Sequence, residues 1–68
     1  MTKKDLKNLL KKTGWRQRRF ADAAQVTESF LSNYLAGRIE LGLLDKRLAR
    51  MRAAYELLEA ATQTDTRG

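Results

Sequence analysis

Three times before residue 32 the chain sets a residue between two apolar ones, one directly ahead of it and one four beyond. These are Met1-Thr2 with Leu6, Trp15-Arg16 with Phe20, and Val26-Thr27 with Leu31. The spacing is that of a hydrophobic staple, in which the side chain before a helix N-cap meets the one at the fourth helical position. Thr2 and Thr27 are good caps, Arg16 is a poor one, and Asp5 completes a capping-box-like pattern with Thr2. Gly14 and Gly37 stand where left-handed residues would stop the first and third helices. The expected helices run to about Lys12, from Gln17 to Ala24, and from Thr27 to Ala36. A long fourth helix, opened by Asp45, is expected over 45–61, with a frayed, flexible tail over 63–68. No segment alternates cleanly between apolar and polar residues, so the fold class is all-α.

At 68 residues the chain makes one domain, here taken as 1–62. A domain this size buries only roughly 60–65% of its unfolded surface, so a partner would stabilise it. The sequence has no cysteine and no histidine, which removes disulfides, zinc fingers and an imidazole base together. No metal or cofactor is expected. Supported acid pairs, a Gly-rich phosphate loop and a serine–base arrangement are also lacking, so an enzyme is not expected. No apolar run is long enough to span a bilayer and no signal-like segment opens the chain, so the expected compartment is the cytoplasm, with no membrane partner and no small-molecule substrate.

Charge narrows the partner. The net charge is +6, and residues 1–40 carry +5 of it against +1 for residues 41–68. A basic N-terminal half suggests a polyanion-facing surface, and nucleic acid is the foremost candidate. In the near-neutral half, Leu44, Leu48, Met51, Tyr55 and Leu58 step at heptad-like spacing. The front of this stripe is expected to pack on the other helices. Its rear has few residues left to cover it, so Met51, Tyr55 and Leu58 are the expected homodimer interface.

Between Gln17 and Ala36 two short helices flank the joint Gln25-Val26-Thr27. Small Ala21 suits a helix crossing, and Phe20, Ala24, Val26, Leu31 and Tyr34 supply contacts that would fix its angle. With Gln17 at the start, Ala21 four on, Val26 after the turn, Leu31 inside the second helix and Gly37-Arg38 after it, residues 6–43 resemble the Cro/CI-type (XRE-like) helix-turn-helix of phage and bacterial repressors. The resemblance implies a small lambda-repressor-like domain of four to five helices, one long C-terminal helix replacing the usual last two. The position usually held by glycine in the turn is Gln25, and a positive φ there would cost it about 1 kcal/mol.

The resemblance also implies base contacts from the first residues of the second helix and from one a turn later, which map onto Glu28, Ser29 and Asn33, with Ser32 a lesser candidate. An Asn amide can pair bidentately with adenine N6 and N7. Glu28 could accept from cytosine N4 or simply complement a helix N-terminus. Gln17 would meet a phosphate, and Arg16, Arg18, Arg19 and Arg38 are candidate phosphate clamps around the two helices. The lysines of the first helix would raise the general field. The expected function is sequence-specific repression, with double-stranded operator DNA bound by a homodimer at half-sites about 34 Å apart. Autoregulation of a phage or mobile-element operon fits that size. A different class also fits: a basic helical adaptor for an acidic protein or for RNA, without base reading.

Overall fold

The computed structural model describes residues 1–65. Among them there are four helices and no strand: α1 (Lys3–Thr13), α2 (Gln17–Ala23), α3 (Glu28–Leu35) and α4 (Lys46–Asp65). Thr2 caps α1 through a complete capping box: the Asp5 amide donates to Thr2 Oγ1 at 3.0 Å, and the Thr2 amide to Asp5 Oδ2 at 3.2 Å. Thr27 caps α3, accepting from the Phe30 amide at 3.0 Å, whereas Arg16 gives α2 no side-chain cap.

The three staple positions turn out to be the centre of the core. Leu6, Phe20 and Leu31 are, with Met51, the largest fully buried side chains, and Met1, Trp15 and Val26 pack half-buried against them. One spacing therefore sets both where each helix begins and which residue it sends inward. Burying a side chain of this size contributes about 1.5–3 kcal/mol.

The three short helices also end alike. Gly14, Gln25 and Gly37 have φ of 75, 60 and 79°, all left-handed. After each, the next amide reaches back five residues: Trp15 to the Leu10 carbonyl at 3.1 Å, Val26 to Ala21 at 3.0 Å, Arg38 to Asn33 at 2.9 Å. This is the Schellman closure, which satisfies the last carbonyls of a helix. Gln25 adopts it without glycine's freedom, so the strain expected at that turn is present. Ala21, buried at the α2–α3 crossing, lends its carbonyl to the same closure.

α4 begins as expected behind Asp45, whose Oδ1 accepts from the Arg47 amide at 2.8 Å, but runs on past Ala61 to Asp65. Residues 63–65 of the expected tail are thus helical, and 66–68 lie outside the described residues. Leu48, Met51, Ala54 and Leu58 face the core. This corrects the expected dimer interface. Met51 is 0% exposed and Leu58 8%, while Tyr55 is half-buried and its hydroxyl donates to Glu59 at 3.3 Å. The rear of the helix is covered by α1, with Asp5, Asn8, Leu9 and Lys12 across a groove from Tyr55, Glu59 and Thr62. Burial pushes the Tyr55 hydroxyl pKa up, with the charges of Glu59 and Asp5 adding to it. Leu44, expected at the head of the stripe, lies before the helix and is 97% exposed; Leu43 and Leu57 are exposed too, at 86% and 75%.

Candidate nucleic-acid interface

α3 is anchored along one side by Leu31, Tyr34 and Leu35, all buried. At about 100° per residue, the opposite side of its circumference carries Ser29, Ser32, Asn33 and Ala36. Ser29 and Ala36 are exposed, Ser32 and Asn33 half-buried. Glu28 is also exposed, at the N-terminal edge beside Ser32 rather than in the middle of this face. The result is a short, uncharged strip of hydroxyl and amide groups with one carboxylate at its edge.

Asn33 does not stand alone. The left-handed turn at Gly37 folds the chain back, so that Arg38 bonds Asn33 twice. Its amide meets the Asn33 carbonyl, and its Nη1 donates to Asn33 Oδ1 at 3.1 Å. The second bond orients the carboxamide and leaves its NH₂ to donate elsewhere, while Oδ1 keeps a second lone pair. A Gly-Arg pair after the helix thus has a local physical purpose: it holds the one amide on the strip beside a cation.

Other cations gather around the start of α2. Arg16, Arg18 and Arg19 share a depression of about 420 Å³ with Gly14, Trp15 and Asp22. Within it the Arg19 guanidinium lies 4.1 Å from the Trp15 ring centroid, a stacked geometry that holds the fork while its edge keeps its donors. Gln17 belongs to a neighbouring depression of about 350 Å³, which Lys7 and Lys11 of α1 also line. Those lysines, read from sequence only as a diffuse field, sit beside the start of α2. Lys3 is committed elsewhere: its Nζ donates to Glu40 Oε2 at 2.9 Å, and that bond lowers the Glu40 pKa.

Two further arginines escape the sequence reading. Arg47 and Arg50 come from α4, yet they line a depression with the α2–α3 joint, and the Arg47 guanidinium lies 4.4 Å from the Phe30 ring centroid. Phe30 is therefore half-buried under a cation. No local spacing signals this, because the approach of α4 to the joint is set by packing around Met51.

No protein-family model matches the chain, and the searches of curated proteins and of solved structures returned no match either. No helix among the described residues is long and apolar enough to cross a membrane.

Proposed function

We propose that this chain is a DNA-binding protein of the helix-turn-helix class, with α3 entering the major groove. More particularly, we propose a transcriptional repressor, acting in the cytoplasm without catalysis. It would bind a near-palindromic operator as a homodimer and control its own operon, as a phage or mobile-element regulator would. One observation carries this reading: α3 is held from behind by three buried side chains while its outward strip presents Ser29, Ser32 and an Asn33 oriented by Arg38. An α-helix with such a strip fits the width of the major groove, where an amide can distinguish adenine from the other bases. Basic groups on both preceding helices supply the sequence-independent attraction. The two-fold form is supported by Leu43, Leu44 and Leu57, apolar side chains that the described residues leave exposed.

A gel-shift comparison tests the reading. Asn33→Ala should erase about 1–3 kcal/mol of discrimination, roughly 5- to 150-fold, between the preferred duplex and a random one. Arg19→Ala should weaken both duplexes alike. Equal losses on both duplexes in the Asn33 variant would favour a basic adaptor that recognises charge without reading bases.

A further inference from the structure

The depression between the α2–α3 joint and the start of α4 has a volume of about 580 Å³, and its charged lining is two arginines, Arg47 and Arg50. Asp45 holds Arg47 by a fork, Nε to Oδ1 at 3.1 Å and Nη2 to Oδ2 at 2.9 Å. That pairing occupies one edge of the guanidinium and leaves the Nη1 hydrogens for another acceptor. Arg50 is half-buried in the same depression, and its Nε is shielded from solvent with no acceptor among the described residues. Donors on a charged group withdrawn from water ordinarily find a partner. Here the fold provides none and seals the Nε from water, so an outside acceptor would meet Arg50 through the part of this half-buried side chain that stays exposed.

The position of the depression bears on the chemistry of an acceptor. Thr27, which caps α3, is part of its lining, so the positive end of that helix adds to the field of the two arginines. Phe30, the ring beneath Arg47, is only about 60° around the circumference of α3 from Asn33. A cation stacked on Phe30 therefore borders the reading strip. Two planar forks beside a helix N-terminus suit the tetrahedral oxygens of a phosphodiester.

We propose that Arg47 and Arg50 form a second phosphate grip, holding the backbone of the duplex alongside the N-terminus of α3. This rests on the DNA-binding reading and adds α4 to it. Asp45 then has two roles: it starts α4, and it competes with the phosphate for Arg47.

The experiment is fluorescence anisotropy of the full chain over a series of KCl concentrations, with a duplex selected from a random pool and with a random duplex. Arg50→Gln should raise Kd several-fold on both duplexes, keep their ratio, and flatten the logarithmic salt slope by about 0.9, the value for one lost phosphate contact. Asp45→Asn keeps a capping side chain but releases Arg47, so it should tighten binding at low salt and steepen the slope. Loss of a carboxylate also raises the general field, so the gain belongs to the grip only if it disappears when Arg47→Gln is added to Asp45→Asn. The proposal is overturned if the parent chain prefers the selected duplex while both single variants keep its affinity and slope. That result removes the grip and leaves α3 as the reading element. If the parent chain prefers no duplex, the DNA-binding reading fails and the grip fails with it.

Discussion

α1, α2 and α3 each send inward the residue four beyond their cap, and each closes on a left-handed residue, Gly14, Gln25 or Gly37. α4 follows other rules. The apolar residue before its cap, Leu44, faces solvent, and the helix carries apolar side chains on both sides, Met51 inward and Leu57 outward. In the first region the start, the stop and the buried face are written in the same few residues. In the second the buried face is chosen only when α1, α2 and α3 are already in place. Local chemistry can therefore fix a helix-turn-helix joint by itself, whereas a helix apolar on two sides must have one of them selected by packing.

The largest expected effect separates the two sides of α4. Met51→Ala should cost about 2–5 kcal/mol, since a buried methionine leaves a cavity. A domain of this size holds only roughly 3–10 kcal/mol in total, so thermal melts followed by circular dichroism should show a fold near collapse. Leu57→Ser, on the outward side of the same helix, should shift stability by no more than about 0.5 kcal/mol. It should instead lower self-association in sedimentation at tens of micromolar. Equal destabilisation by the two substitutions would erase the distinction between the faces.

A smaller effect tests the likeness among the three helix ends. Gln25 adopts a backbone conformation that Gly14 and Gly37 adopt without strain. Gln25→Gly should stabilise the domain by about 0.5–1 kcal/mol, the relief of φ exceeding glycine's added unfolded entropy. A denaturant midpoint that falls in this variant would mean that the turn draws on the Gln side chain after all.

The start of α4 gives the smallest effect, and a pH-dependent one. Arg47's side-chain hydrogen bond is the main cause that lowers the Asp45 pKa from 3.8 to about 2. A carboxylate depressed by folding stabilises the fold fully above its unfolded pKa and loses that contribution as pH falls through the folded one. Asp45's share should accordingly fade between about pH 4 and pH 2. An Asp45→Asn chain should show a shallower stability loss over that interval, measured by urea titration at each pH.

How much could be read beforehand follows from the same contrast. The limits of α1, α2 and α3 were legible to within a residue or so because Thr2, Thr27, Gly14 and Gly37 act on their immediate neighbours. The all-α class and the outward strip of α3 followed from that register. The dimer assignment of Met51 and Leu58 did not survive, because heptad spacing reports that a face is apolar without reporting what covers it. The Arg47–Phe30 stack was equally illegible, since seventeen positions of chain separate its members and α4's docking alone brings them together. The bond from Arg38 to Asn33 could be approached from sequence only as a Gly-Arg pair after a helix.

The central claim, that the outward strip of α3 reads a duplex, is tested most directly by selecting bound DNA from a random pool and sequencing what is retained. The account predicts enrichment of two inverted half-sites whose centres lie about one helical turn apart, with an adenine in each half whose preference disappears in Asn33→Ala. Retention of DNA without any enriched sequence, or an enriched sequence that survives the Asn33 substitution unchanged, would contradict it.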